Sequence, residues 1–171
     1  MNDSEPLIEQ KRQQLAACLD TLQIKYQSYC HPPLMTCQEA DRIGLIRSGS
    51  RIKNLFLQDN VGKRHFLLIT YSETPIDLKM LAKEQQTKRL GFASERRLAH
   101  YLNATRGCVS ILGLFYDQEQ QVELWIDRQL WHETNGLQCH PLDNRQTWVI
   151  SKPDLTRFIE YTRHSIQLVD L

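Results

Sequence analysis

Apolar residues near the start of the chain recur at the spacing of one helix face. Leu7, Leu15 and Leu22 mark this face, so residues 5–22 are predicted to form an amphipathic helix. Residues 24–29 then roughly alternate between apolar and polar side chains, which is typical of a half-buried strand. His31-Pro32-Pro33 ends this strand, because proline has no N–H to donate to a neighbouring strand.

The next segment predicts a short helix followed by a β-hairpin. Thr36 and Glu39 have the T-x-x-E spacing of a capping box, and the helix they begin is expected to end near residue 46. Residues 51–58 and 65–71 are strand-like runs on either side of a polar turn, so we expect them to pair as a hairpin.

Helical and strand-like patterns alternate further along the chain. Residues 76–86 have helical spacing, and Ser94 is a candidate N-cap for a helix that ends near residue 103. Residues 108–116 and 121–127 are predicted to be two strands joined by the turn between them.

The C-terminal segment predicts a short strand and a last helix. Residues 147–151 form the strand, and Ser151 and Asp154 are expected to cap a helix that runs to about residue 164. Helices and strands are interspersed along the whole chain. This order predicts an α+β fold, a single compact domain in which helices flank a mixed or antiparallel sheet.

Composition supports one domain and excludes several classes of protein. With 171 residues, 41% of them hydrophobic, the chain can bury one core, so we expect residues 1–171 to form one domain in which 1–6 are a flexible extension. The 21 Lys+Arg nearly balance 20 Asp+Glu, which excludes a strongly basic nucleic-acid binder and leaves room for a local basic patch. The absence of a long apolar run and the polar N-terminus indicate a cytoplasmic protein.

The cysteines indicate reduced, structural thiols. Their number is odd and no pair has the C-x-x-C spacing, which argues against a disulfide scaffold or a zinc site. The five are Cys18, Cys30, Cys37, Cys108 and Cys139.

Lys53 is a candidate for site chemistry. Strand alternation places it on the same face as Leu55 and Leu57. In a pocket it would offer a positive charge to a phosphate or a developing oxyanion. The alternative is a lysine at a strand end whose stem packs on apolar neighbours while its ammonium group stays in water.

Two His-Pro dipeptides and one glycine loop are further candidates. The prolines restrict the backbone of His31 and His140, which suits side chains held at the rim of a site, although both also fit ordinary loops. Gly107 precedes Cys108, Val109 and Ser110, and a glycine there can let backbone N–H groups approach a ligand. A structural turn that leads into a strand is the alternative.

A group of basic side chains lies around the middle helices and could follow an RNA backbone, or form a solvated face. Its members are Lys83, Lys88, Arg89, Arg96, Arg97 and Arg106.

Taken in order, these residues resemble the YbaK/prolyl-tRNA synthetase-associated editing domain family, and in particular its free-standing alanyl-tRNA(Pro) deacylases. The resemblance covers nearly the whole chain, from about residue 15 onward. It rests on His31-Pro32-Pro33, Thr36, Glu39-Ala40, Lys53-Asn54-Leu55-Phe56-Leu57, Ile76-Asp77-Leu78-Lys79, Leu90-Gly91-Phe92-Ala93-Ser94, Gly107-Cys108-Val109-Ser110, Ile126-Asp127 and His140-Pro141-Leu142-Asp143-Asn144.

The resemblance implies a trans-editing hydrolase that cleaves the ester of a mischarged aminoacyl-tRNA, most simply alanine on proline tRNA, without a metal or other cofactor. Lys53 corresponds to the family's essential lysine and Gly107 to the start of its G-x-x-x-P loop. The implied substrate-binding residues are His31, Asn54, Cys108, Val109, Ser110 and His140. The implied partners are the acceptor end of the tRNA and prolyl-tRNA synthetase.

One position departs from the family pattern. The loop ends in Ile111 where proline is usual, so an N–H is restored and φ is less restricted. Three alternatives therefore stay open: another small amino acid such as cysteine or serine as the one removed, a non-catalytic tRNA- or synthetase-binding module, and a thiol-dependent enzyme that uses Cys108.

Overall fold

Eight strands in two sheets, packed with helices, make up the part of the chain that the structure describes. The structure, a computed structural model, describes residues 4–33, 39 and 47–171. The helices in these residues are α1 Ser4–Thr21, α2 Leu78–Glu84, α3 Glu95–Leu102, α4 Arg128–Glu133 and α5 Lys152–Tyr161, with a 3-10 helix at Ile111–Tyr116. The strands are β1 Tyr26–Cys30, β2 Ile52–Asp59, β3 His65–Tyr71, β4 Leu90–Phe92, β5 Val122–Asp127, β6 Gly136–Cys139, β7 Gln146–Ser151 and β8 Ile166–Val169.

The larger sheet has five strands in the order β4-β2-β3-β5-β8. Strand β2 pairs antiparallel with both β3 and β4, whereas β5 pairs parallel with β3 and with β8. The sheet is therefore mixed, as predicted, and its strand β3 is buried on both faces.

The smaller sheet is antiparallel, in the order β1-β7-β6. It joins the larger sheet just before β2. There the Ser50 N–H donates to the Gly136 carbonyl at 2.8 Å, and the Gln138 N–H donates to the Ser50 carbonyl at 3.0 Å. Strand β2 therefore begins at the junction of the two sheets.

Apolar side chains form one cluster on each face of the larger sheet. The main cluster takes Ile52 and Phe56 from β2 and extends to α1, α3, α5 and the smaller sheet. The second cluster takes Leu57 from β2 and packs it beneath Leu81 and Ala82 of α2. Alternation along β2 thus sends successive side chains into different clusters.

Several local predictions are confirmed. The first helix, the hairpin of β2 and β3 and the end of β1 before His31 are all present. The Ser94 side chain accepts a hydrogen bond from the Arg97 N–H, and the Ser151 side chain accepts one from the Asp154 N–H, so both serines cap their helices. The capping box of Thr36 and Glu39 and its helix lie outside the described residues.

The prediction of a strand over residues 108–116 is wrong. A 3-10 helix occupies Ile111–Tyr116, and the Ser110 side chain starts it by accepting from the Leu112 N–H. Its first four residues, ILGL, are buried without alternation, and such a run does not by itself distinguish a strand from a helix. Strand β5 therefore has no hairpin partner before it and pairs instead with two distant strands.

Candidate active site

Lys53 lies near the start of β2, on the face of the second cluster, together with Leu55 and Leu57. Its predicted position on the strand is confirmed. The side chain is half-buried, and its ammonium group donates a hydrogen bond to the Thr74 carbonyl oxygen, just before α2. An ammonium group has three N–H donors, so a lysine held in this way keeps donors for a ligand.

Asn54 points to the opposite face of β2 and contacts the loop after Gly107. Its Oδ1 accepts a hydrogen bond from the Ile111 N–H at 3.1 Å. A proline at position 111 could not donate this bond. Isoleucine in place of the usual proline therefore allows a hydrogen bond between the 3-10 helix and β2.

The loop from Gly107 to Ser110 is a tight turn. Gly107 has φ +82°, in the left-handed region that glycine adopts at little cost, and the Cys108 N–H donates to the Thr105 carbonyl at 3.0 Å. Within the described part of the chain, the N–H groups of Val109 and Ser110 donate to no acceptor. Because Ser110 is fully buried and Val109 is only half-buried, the Val109 N–H is the candidate donor to a substrate oxygen.

Neither possible nucleophile in this loop is exposed. Ser110 is fully buried, and its hydroxyl oxygen accepts from the Leu112 N–H at 3.2 Å. The Cys108 thiol is buried as well. The loop therefore presents backbone groups more readily than reactive side chains.

His140 lies just after β6 in a loop that packs on the 3-10 helix. A methyl group on Gly113 would lie 3.6 Å from the Leu142 side chain, which places the two segments in contact. The pKa of His140 is lowered to about 4, chiefly by burial and also by the charge of His31, while Asp143 opposes the shift. The imidazole is therefore neutral near pH 7, and its buried Nδ1 has no hydrogen-bond partner among the described residues.

His31 is held at the end of β1 by two hydrogen bonds. Its Nδ1 donates to the Pro32 carbonyl at 2.8 Å, and its Nε2 lies 2.9 Å from the Thr147 hydroxyl oxygen. The Thr147 hydroxyl oxygen accepts a hydrogen bond from Arg47 Nη1 at 3.1 Å. The three side chains form one connected network beside the smaller sheet.

Sequence reasoning missed Arg47. Its Nε and Nη2 are buried and have no hydrogen-bond partner among the described residues, and the guanidinium group lies 5.9 Å from the centre of the Tyr29 ring. Burial lowers the pKa of Arg47, and the charge of Arg51 lowers it further. No motif around residue 47 indicated a role, because the contacts come from β1 and β7.

The structure therefore brings most, but not all, of the predicted site residues together. Asn54, the Gly107 loop, the His140 loop and His31 form a continuous series of neighbours on the main-cluster side. Lys53 approaches the same end of β2 from the other face. Because β2 pairs with β4 only over Leu57–Asp59, this end of the strand is beyond the reach of β4.

A surface cavity of about 400 Å³ lies elsewhere, against β1, β7 and the turn at Gly49. None of the predicted site residues lines it, so we do not assign the reaction to it. No three His, Cys, Asp or Glu side chains in residues 4–33, 39 and 47–171 lie close enough together to hold a metal ion. A reaction without metal or cofactor stays a prediction.

The site therefore combines Lys53 on one face of strand β2 with the Gly107 and His140 loops on the side of the other face. The family model of the aminoacyl-tRNA editing domain matches residues 31–158, so the chain belongs to this family. It is an aminoacyl-tRNA deacylase, a hydrolase that removes amino acids from mischarged tRNA.

Two known proteins resemble it over most of their length. The prolyl-tRNA editing protein ProX of Acetoanaerobium sticklandii is 35% identical over 163 residues, which is 94% of this chain and 97% of that one. The prolyl-tRNA synthetase associated domain-containing protein 1 of Danio rerio is 36% identical over 155 residues, 90% of this chain and 84% of that one.

A solved structure shows the same fold. A candidate trans-editing enzyme for prolyl tRNA synthetase superposes with a TM-score of 0.61 at 15% sequence identity, covering 85% of each chain. None of the helices in the described residues is long and apolar enough to cross a membrane.

Proposed function

We propose that this deacylase removes alanine from proline tRNA, with the whole chain acting as one editing domain in the cytoplasm. The observation that carries the proposal is the 35% identity to a prolyl-tRNA editing protein across nearly all of both chains. Alanine is small enough to enter a proline site, so binding alone rejects it poorly and a second hydrolytic site is needed. Prolyl-tRNA synthetase is the proposed source of the mischarged tRNA and a further partner.

We assign the aminoacyl ester to the loop side of β2. Hydrolysis places negative charge on the carbonyl oxygen as water attacks, and backbone N–H groups stabilise such an oxyanion. The half-buried Val109 N–H, which donates to no acceptor among the described residues, supports this role. Gly107 permits the turn that presents this N–H group, because its φ is +82°.

Lys53 is assigned to the tRNA side. Its ammonium group is held by the Thr74 carbonyl on the opposite face of β2 from Asn54. A phosphate or ribose oxygen of the terminal nucleotide is a suitable ligand for this fixed positive charge. The role of Lys53 is to hold the end of the tRNA so that the ester reaches the loop.

His140 and His31 are assigned to the wall of the amino-acid pocket. Near pH 7 a neutral His140 can accept or donate one hydrogen bond without adding charge beside the substrate's ammonium group. Asn54 is assigned to hold the loop through Ile111, so it acts on the substrate indirectly.

The buried thiol argues against the thiol-dependent alternative. Cys108 is buried and lies in the turn that forms the loop. A nucleophilic cysteine needs an accessible thiolate. Cys108→Ala is expected to keep full activity, and loss of hydrolysis by a folded Cys108→Ala variant would favour that alternative.

A deacylation time course tests the proposal. Alanine-charged proline tRNA is compared with cysteine- and serine-charged proline tRNA and with alanine-charged alanine tRNA. The wild type is expected to hydrolyse the first substrate fastest. Preference for the cysteine or serine ester would change the amino acid that is removed, and tRNA binding without hydrolysis would support the non-catalytic module.

Lys53→Ala is expected to lower the rate about a hundredfold, because an ester that is misplaced by about 1 Å from the loop loses this much in rate. The matched control is Lys25→Ala, which removes an exposed lysine just before β1 of the smaller sheet. Hydrolysis at the wild-type rate by a folded Lys53→Ala variant would contradict the assigned role.

A further inference from the structure

Positive charge is concentrated in one segment of this nearly neutral chain. The chain has 21 basic and 20 acidic side chains. Residues 79–97 contain six of the basic side chains but only two of the acidic ones. This segment comprises most of α2, strand β4 and the start of α3. The remainder of the chain is therefore net acidic, and an anionic partner is attracted to this segment.

Five of the six basic side chains are exposed, and among the described residues none of them forms an ion pair with a carboxylate. They are Lys79, Lys83, Lys88, Arg89 and Arg96. The sixth, Arg97, is used internally, because it donates to the Gly62 carbonyl at 2.7 Å and contacts His65. The five exposed cations are available to a partner.

An exposed aromatic ring lies among these cations. Phe92 is 66% exposed and is the last residue of β4, at the edge of the larger sheet. An exposed aromatic ring offers a face on which an unpaired base can stack. In contrast, Leu90 on the same face of β4 is buried beneath α2.

Phe92 and Lys53 lie on the same face of the sheet. Phe92 is directly opposite Leu57 across the β2–β4 pair, and Leu57 shares its face of β2 with Lys53. Four residues of strand and one strand spacing separate Phe92 from Lys53, which places their backbones about 14 Å apart. Helix α2 begins just after Thr74, which holds Lys53, so its basic residues lie along the same route.

We propose that Phe92, together with Lys79, Lys83, Lys88 and Arg89, forms a binding surface for the single-stranded 3′ end of the tRNA. An unpaired base stacks on Phe92 and the cations contact the neighbouring phosphates, while Lys53 holds the terminal nucleotide. Proteins that bind single strands combine these two elements, a stacking ring and a positive path for the backbone. The inference rests on the proposed function, which supplies the RNA ligand.

Phe92→Ala tests the stacking contact. Loss of one stacked base is expected to weaken tRNA binding about tenfold and to raise KM with little change in kcat. Phe92→Tyr keeps an aromatic ring and is expected to restore the affinity. An alanyl ester of adenosine lacks the preceding nucleotides, so the wild type and Phe92→Ala are expected to hydrolyse it at equal rates.

The double variant Lys83→Glu with Lys88→Glu tests the phosphate contacts. Its affinity for uncharged tRNA is expected to fall, and the slope of log K against log salt is expected to decrease in magnitude by about 1.4, which corresponds to two contacts with a single strand. Lys25→Glu is the control, an exposed lysine outside this segment of the chain, and is expected to leave the slope unchanged.

Two results would overturn the proposal that this surface binds the 3′ end of the tRNA. One is wild-type affinity for uncharged tRNA in both Phe92→Ala and the double variant, as expected if the cations serve an acidic protein instead. The other is an equal loss on the adenosine ester, which would show that the changes act on the catalytic pocket.

The binding assay separates this inference from the proposed function, because uncharged tRNA is bound without being hydrolysed. If the wild type hydrolyses no mischarged tRNA but its affinity depends on Phe92, the proposed function fails and the surface stands. If it hydrolyses mischarged tRNA and its affinity does not depend on Phe92, the surface fails and the function stands.

Discussion

Among single residues, His140 illustrates how burial sets charge at the site. Its imidazole would be partly protonated in water near pH 6.5, but burial lowers its pKa to about 4. The buried Nδ1 lacks a hydrogen-bond partner among the described residues. Folding therefore holds the neutral form of His140 across the physiological pH range.

This shift predicts a pH dependence of stability. Between pH 6.5 and about 4 the unfolded chain binds a proton at His140 that the folded chain does not, so the free energy of unfolding falls as the pH is lowered through this window. The contribution is fully present above pH 6.5 and changes by at most about 1.4 kcal/mol per pH unit.

Urea unfolding at pH 4.5, 5.5 and 7 measures the effect. His140→Gln cannot titrate, so its free energy of unfolding is expected to change less over this range than that of the wild type. Equal pH dependence in the two proteins would show that the folded and unfolded states bind the His140 proton alike.

At the scale of secondary-structure elements, the contact between β2 and the 3-10 helix organises the site. Asn54 Oδ1 accepts from the Ile111 N–H, and the Ser110 hydroxyl accepts from the Leu112 N–H. These bonds hold the first turn of the helix at the end of the Gly107 loop. The loop geometry therefore depends on a strand more than fifty residues earlier.

Ile111→Pro is expected to destabilise the protein by roughly 1–3 kcal/mol, because it removes the N–H and leaves Asn54 Oδ1 without its donor. Ile111→Val keeps the N–H and is expected to cost about 0.5–1.5 kcal/mol, as a buried methylene loss does.

A double-mutant cycle with Asn54→Ala identifies the bond itself. If Asn54 and Ile111 interact as described, the two changes together are expected to cost less than the sum of the single changes. Strictly additive costs would mean that the bond does not hold the loop. If Ile111→Pro instead raised the rate of deacylation, the proline that is usual in the family would position the loop better for hydrolysis than isoleucine does.

At the scale of the whole molecule, the two sheets depend on a close backbone contact at Gly136. Its carbonyl accepts from the Ser50 N–H at 2.8 Å, which joins the sheets. A side chain at Gly136 would place its Cβ 2.6 Å from the Ile150 carbonyl oxygen of β7. The other nearest atoms, Ser151 Cα and the Ile150 carbonyl carbon, also belong to the backbone, so none of them can rotate away from a new side chain.

Gly136→Ala is therefore expected to lower the free energy of unfolding by about 1–3 kcal/mol, because a methyl group forced into a packed contact shifts the backbone. Gly91→Ala is the matched control, since no atom lies within 4 Å of its Cβ position. Thermal and urea unfolding of the two variants compare them. Equal stability would mean that strand β7 accommodates a side chain at this position.

Local patterns determined a large part of this fold by themselves. Ser94 and Ser151 signal helix starts because a cap involves only the next few residues, and the hairpin from residue 51 to 71 involves strands that are neighbours in sequence. The face of Lys53 follows from strand alternation. The ordered motifs also identified the family, because family resemblance is a property of the sequence itself.

The tertiary structure alone decided the parallel pairing of β5 with β3 and β8, the 3-10 helix in place of a strand, and the network of Arg47 with Thr147 and His31. It also placed Lys53 and Asn54 in contact with different segments on opposite faces of β2. The physical reason is common to all of these features. Each depends on groups far apart in sequence, and their contacts exist only once packing brings them together.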